Sequence, residues 1–458
     1  MNRNQNKIET DGQMRLFRKR RSEMTSEERV FALREKLYQK AKQDSGYKFY
    51  VLYDKVFLPY ILETAWKAVK TNGGSPGIDK VTIEDIEKQG VEKFLSELGE
   101  ELRKQTYHPQ AVKRVMIPKA NGGERPLGIP TIKDRVAQAA CKLIIEPIFE
   151  ADFEETSYGF RPKRSAKDAI RIIKHQLQQG KTMILDADLS KYFDTIPHDK
   201  LKIALKERIA DPRILKLIDK WLKAPVFEDG QFKGGKGNHT GTPQGGVISP
   251  LLANVYLHLL DRIVRNPKSL FSKLGIEIIR YADDFVLMGK ELTQEALEKL
   301  ESLLTRMGLT LNKDKTKQKD AKQESFDFLG FTLRYDQDLQ GKKSRYWNII
   351  PSKKSEQKVR DKVRDFLGKN GHSKVQAVAL GLNAIVGGWL RYFEIQGTSY
   401  PAMSKRKLRF YLSAKLHRYF NRKSQRKSRL YRQKAFEVLT VKYGLIDPTK
   451  YSFRPAHS

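Results

Sequence analysis

Ile278-Ile279-Arg280-Tyr281-Ala282-Asp283-Asp284-Phe285-Val286-Leu287-Met288-Gly289 is the stretch whose reading decides the fold. Apolar, β-branched-rich residues flank an Asp-Asp pair. Both flanks read as strands, and the pair reads as the tip of a β-hairpin. Neighbouring carboxylates repel each other unless a cation neutralises them. Oxygen-only donors at this density suit Mg²⁺. An isolated Asp-Asp would read as a solvated turn. The flanks argue against that, and so does a second acidic cluster upstream.

That cluster is Ile184-Leu185-Asp186-Ala187-Asp188-Leu189-Ser190-Lys191-Tyr192-Phe193-Asp194. An apolar strand again runs into acids, and an aromatic pair follows. Ile196-Pro197-His198-Asp199 then offers a helix start. Carboxylates on two separate strands are what a two-metal phosphoryl-transfer site needs: one ion activates a hydroxyl and the other stabilises a leaving pyrophosphate.

Composition narrows the partner. The 458 residues carry a formal charge of +34, which on a folded chain points first to a polyanion such as nucleic acid. A hydrophobic fraction of 39% suffices for a folded core. No apolar run reaches the roughly 18 residues of a spanning helix. The longest candidate, Ala377 to Leu390, is interrupted by Asn383 and three glycines. The basic N-terminus lacks the apolar stretch of a secretory signal. With Cys141 as the only cysteine, an internal disulfide and a Cys-rich zinc site are both excluded. A reducing compartment, such as the bacterial cytoplasm, is expected.

The pattern predicts an amphipathic helix within 47–70, helices over 80–106, and two short strands within 111–130. Asn121-Gly122 marks a hairpin turn between those strands. Helices are expected over 132–150 and 164–179, then alternating strand and helix to about 335, then basic helices over 352–432. From residue 401 onward, sixteen Lys/Arg face only Glu437 and Asp447, with Phe410, Tyr411, Tyr419, Phe420 and Tyr431 interleaved. That mixture suits phosphate contacts plus packing or base stacking. A solvated basic face is the plainer reading.

Six blocks in order resemble the group II intron reverse transcriptases, also called maturases, over about residues 50 to 430. They are Gly74 to Asp79, Ile117 to Pro130, Tyr158-Gly159-Phe160-Arg161-Pro162, Gly241 to Leu252, Tyr281 to Asp284, and Phe328-Leu329-Gly330-Phe331. Gly388-Trp389-Leu390-Arg391-Tyr392-Phe393 points to the same branch. The resemblance implies an α+β right-hand polymerase: fingers, a palm with an antiparallel sheet, and an α-helical thumb/maturase domain. The boundaries expected are a basic extension (1–48), fingers (49–185), palm (186–345), thumb/maturase domain (346–432) and a short basic tail (433–458).

The resemblance also assigns roles. Asp188, Asp283 and Asp284 are expected to hold two Mg²⁺ ions, with Mn²⁺ as a substitute, and Asp284 binds less directly. Asp186 is expected to stand behind them and Asp194 to be structural. Lys119, Arg125, Phe193 and Gln244 are expected at the dNTP, with Phe193 as a steric gate against a 2′-hydroxyl. Tyr158, Arg161, Lys313, Lys315 and Arg391 are expected to face template, primer or intron RNA.

The activity implied is RNA-directed DNA polymerisation with maturase assistance to splicing. The intron would be copied by target-primed reverse transcription. Group II intron RNA, a DNA target and primer, and dNTPs are the expected partners, with no membrane and no zinc. No endonuclease domain is expected, because its zinc-binding cysteines are missing. A domesticated enzyme of defence or repair, and a purely RNA-binding splicing factor, are the alternatives.

Overall fold

The computed structural model describes residues 24–118, 123–235, 237–338, 344–422, 428 and 430–452. Its centre is a four-stranded antiparallel sheet of order β6-β7-β3-β8. The strands are β3 (Met183–Ala187), β6 (Glu277–Tyr281), β7 (Asp284–Gly289) and β8 (Lys317–Asp320). The pattern that made 278–289 a hairpin holds: Tyr281 pairs with Asp284 across a two-residue turn.

Period-2 alternation splits the core between the two faces of this sheet. Leu185, Ala187, Leu189, Phe285 and Leu287 join Leu252, Tyr256 and Leu260 of the helix Ser249–Arg265 in one buried cluster. Ile184, Ile279, Val286 and Met288 join Ile170 and Ile173 of the helix Ala166–Gln178 in a second. Each face therefore packs on a helix, and the sheet is fixed from both sides.

A mixed sheet of order β2-β1-β4-β5 joins the fingers strands β1 (Val112–Pro118) and β2 (Glu124–Ile129) to β4 (Val226–Glu228) and β5 (Gln231–Lys233), which fall within the span expected for the palm. The helices Pro59–Asn72, Ile83–Gln89, Val91–Arg103 and Ile132–Glu150 complete the fingers. A third sheet, β9 (Phe326–Phe328), β10 (Phe331–Gln337) and β11 (Arg345–Pro351), leads into the helices Lys353–Lys369, Val375–Phe393 and Ala402–Arg422.

Two expected boundaries move. The helix Ser26–Gln43 is no separate extension: Thr25 and Glu28 form a reciprocal cap, and Val30, Leu37 and Ala41 are buried in the same cluster as Leu185 and Leu252. A basic segment still folds in when one helical face is apolar. The tail after 433 likewise contains the helix Ala435–Tyr443, whose Phe436 and Leu439 are buried with Leu412, Leu416 and Phe420 of the preceding helix. It is part of the helical domain. The glycines within Val375–Phe393 do not break that helix.

Candidate active site

The register of β3 against β7 ends with Ala187 opposite Phe285. One step further sets Asp188 opposite Asp284. Directly opposed residues share a sheet face, so Asp186, Asp188 and Asp284 lie on the face of Ile184 and Val286. Asp283 stands on the turn itself, after Ala282 at φ 59. The expected carboxylates thus come together from two strands distant in sequence.

Their electrostatics record the crowding. Asp284 is pushed up to about 7 by burial of its carboxylate, then by the charges of Asp283, Asp188 and Asp186. Asp283 is raised by burial and by Asp188. Asp186 is pushed up to about 6 by burial, with Asp188 and Asp327 adding to it and Lys319 opposing.

This oxygen-only donor set suits Mg²⁺. Among the described residues, no group of three His, Cys, Asp or Glu side chains converges closely enough to hold an ion as it stands. A protein cation lies at the cluster instead: Lys315 Nζ is 2.9 Å from Asp188 Oδ2, and Asn312 Nδ2 donates to the same oxygen at 3.2 Å. The donors fit a divalent cation chemically, and the ammonium must leave Asp188 for one to bind there. Lys315 was expected on a nucleic-acid backbone. Its side chain stays mostly in solvent while its ammonium pairs with the Asp188 carboxylate.

Arg125 and Gln244 also meet. Arg125, on β2 of the fingers, donates through Nε to Gln244 Oε1 at 3.0 Å. Its charge reaches Asp283 and Asp194, opposing the rise of both carboxyls. Gly128 N–H donates to the Gln244 carbonyl, and the backbones run so close that a Cβ on Gly245 would overlap the Gly128 carbonyl. Phe193 is 7% exposed, with its ring edge-on to Tyr192 and its carbonyl accepting from Thr242 N–H at 2.7 Å. Lys119 lies outside the described residues. Lys313 and Arg391 are exposed, on the strand connection and on a thumb helix respectively.

Tyr158 and Arg161 require correction. Tyr158 is buried in the second core cluster. The Arg161 side chain is 2% exposed, pairs with Glu150 at 2.7 Å, and donates to the carbonyls of Glu154 and Ser157. A guanidinium whose Nε, Nη1 and Nη2 all donate inside the fold holds the 154–161 loop together.

Sequence reasoning missed a buried group behind the turn. Arg280 is fully buried and pairs with Asp261 through Nη2 at 2.6 Å. Its Nη1 donates to Asn254 Oδ1 and to the Ala282 carbonyl, both at 2.9 Å. Asn254 Nδ2 donates to the Gly159 carbonyl at 2.7 Å. A signal was present: Asn254 and Asp261 stand seven residues apart, on one face of an otherwise apolar helix.

Residues 117–333 match the family model described as reverse transcriptase (RNA-dependent DNA polymerase), and residues 356–436 match that of the group II intron, maturase-specific domain. Fold, carboxylate cluster and these matches define an RNA-directed DNA polymerase, a reverse transcriptase. Protein YkfC of Escherichia coli (strain K12) is 36% identical over 332 residues, covering 65% of this chain and 85% of that protein. The chain belongs to the group II intron-encoded reverse transcriptase/maturase family. Group II intron-encoded protein LtrA of Lactococcus lactis subsp. cremoris is 36% identical over 253 residues, 55% of this chain and 41% of that protein. An uncharacterized 91 kDa protein in the cob intron of Schizosaccharomyces pombe is 26% identical over 423 residues, covering 77% of this chain and 51% of that protein. The chain thus spans about half or less of the length of these last two.

Proposed function

We propose that this protein copies group II intron RNA into DNA by target-primed reverse transcription, and that it holds the structured intron RNA in a splicing-competent form. The observation that carries the reading is the meeting of Asp188 and Asp284 across β3 and β7, with Asp283 on the adjoining turn. The Arg125–Gln244 contact stands near enough for the Arg125 charge to act on Asp283.

Asp188 and Asp283 are the residues that would hold Mg²⁺, or Mn²⁺ in its place, with Asp284 completing the set. When bound, a pair of such ions supplies a lowered pKa for the primer 3′-hydroxyl and neutralises charge on the leaving pyrophosphate. Arg125 offers a bidentate fork to the triphosphate once it leaves Gln244. Gln244 and the glycines beside it let the backbone lie close to the nascent base pair. Phe193 closes the space beneath the sugar and selects deoxynucleotides. No protein nucleophile takes part: catalysis is positioning plus charge neutralisation.

Lys313, Arg391 and the basic helices after 352 offer a surface for RNA and for the DNA target and primer. No helix among the described residues is long and apolar enough to cross a membrane. We place the work in the bacterial cytoplasm, where intron transcripts and replicating DNA meet. The test is Mg²⁺-dependent primer extension with dNTPs on an RNA template. Asp283→Ala should abolish extension and leave binding of structured RNA intact. A variant that still extends at the wild-type rate would remove Asp283 from the chemistry.

A further inference from the structure

The Arg280–Asp261 pair is an expensive feature for a protein core. Both charges are fully desolvated, at 0% and 1% side-chain exposure. Apolar residues of similar volume commonly stabilise a fold as well or better than such a pair. What the pair supplies here is direction. The guanidinium is planar, and its donors point along fixed lines. Nε and Nη2 are held by the Asp261 carboxylate, which fixes the plane relative to the helix Ser249–Arg265. Nη1 is then aimed at Asn254 Oδ1 and at the carbonyl of Ala282, the residue just before Asp283.

A second contact acts on the adjoining peptide, between Tyr281 and Ala282. Gly159 lies so close to the backbone of Tyr281 and Ala282 that an added Cβ would overlap the Ala282 nitrogen. The Gly159 carbonyl is held by Asn254 Nδ2. Tyr158 N–H donates to the Arg280 carbonyl at 2.8 Å, and Arg280 N–H to the Thr156 carbonyl at 2.9 Å, so the 156–159 segment runs along the hairpin. Asn254 therefore ties together the guanidinium and the Gly159 segment, which contact the two peptides flanking Ala282. Ala282 is a non-glycine residue in the left-handed region, which persists only where the surroundings enforce it.

We infer that Arg280, set by Asp261 and Asn254, is the positioning residue of the site: it clamps the Ala282 peptide and so fixes where Asp283 and Asp284 present their carboxylates to the metal ions. None of the three touches substrate. The inference rests on the polymerase reading above, and its test separates the two.

The full chain is compared with its Asn254→Ala and Arg280→Lys variants. Mn²⁺ binding is read from the loss of free-ion electron paramagnetic resonance signal, primer extension is followed against Mg²⁺, and the unfolding midpoint is recorded. Arg280→Lys leaves Asp261 poorly matched and carries the greater risk of misfolding. Asn254→Ala keeps the ion pair and loses only the link to Gly159 and Nη1. Asn254→Ala should weaken Mn²⁺ binding and raise the half-saturating Mg²⁺ by about tenfold, the effect of one lost hydrogen bond to a charged group. kcat should fall while KM for template–primer stays constant.

If Asn254→Ala lowers the unfolding midpoint but binds Mn²⁺ as the wild type does, the network is merely structural and the inference is overturned. If the wild type binds Mn²⁺ without extending any primer, and Asn254→Ala still weakens that binding, the inference stands and the polymerase reading fails.

Discussion

Replacing Asp284 by Asn should make the metal-free protein more stable while removing its activity. The Asp284 carboxyl is pushed from 3.8 up to about 7 by burial and by three neighbouring carboxylates. For an acid, a folded-state pKa above the unfolded one means that the fold disfavours the ionised form. The penalty is absent below about pH 3.8, grows as pH rises towards 7, and is complete above it. At about 1.36 kcal/mol per pH unit the rise corresponds to about 4 kcal/mol. The Asp284 residue keeps more than a third of its surface in solvent even though its carboxylate is crowded among acids, and screening leaves roughly 1 kcal/mol of that.

Thermal unfolding in EDTA is the assay. At pH 8 the Asn variant should melt about 2 °C above the wild type, and the gap should shrink at pH 5. Added Mg²⁺ should reverse the order, because an ion held by the native carboxylates stabilises only the protein that keeps them. A variant that melts below the wild type in EDTA at pH 8 would refute the like-charge reasoning. An equal gain from Mg²⁺ in both proteins would refute a metal role for Asp284.

Other outcomes follow from the same geometry. Arg161→Ala leaves Glu150 and two carbonyls without their partner and should cost about 3–5 kcal/mol in thermal or urea unfolding. Lost template affinity at unchanged stability would contradict the buried role. Phe193→Val should raise incorporation of ribonucleotides relative to deoxynucleotides in single-nucleotide extension, and an unchanged ratio would remove the gate. Intron-RNA affinity should fall by roughly 10³ between 50 and 200 mM salt if the basic surface engages about six phosphates, and a flat salt profile would argue for a small polar interface instead.

Much of this was legible in the chain. Apolar, β-branched-rich flanks around Asp283-Asp284 gave the hairpin, the Asn-Gly signal at 121–122, itself outside the described residues, joined the paired strands β1 and β2, and the apolar spacing of Ile61, Leu62, Ala65, Trp66 and Val69 gave a helix that the fold buries on that face. Such signals are local: they depend on period and on turn chemistry, which neighbouring residues carry between them. The carboxylate set was legible too, since strand ends rich in acids are unusual enough to stand out.

The partners of charged residues were not legible. Arg161 looks like a surface cation in sequence yet is spent inside a loop, and Lys315, a surface cation in fact, has its ammonium on Asp188. Nor could the chain by itself join Arg280 to Asp261 and Asn254, or Gly159 to Ala282. Each of those contacts depends on how a helix and a loop pack against the central sheet, and packing is decided by the whole core at once. The sequence by itself determined the family, the strands and the acids. Only the tertiary structure decided which faces they share, which cations reach them, and what holds the turn that carries Asp283.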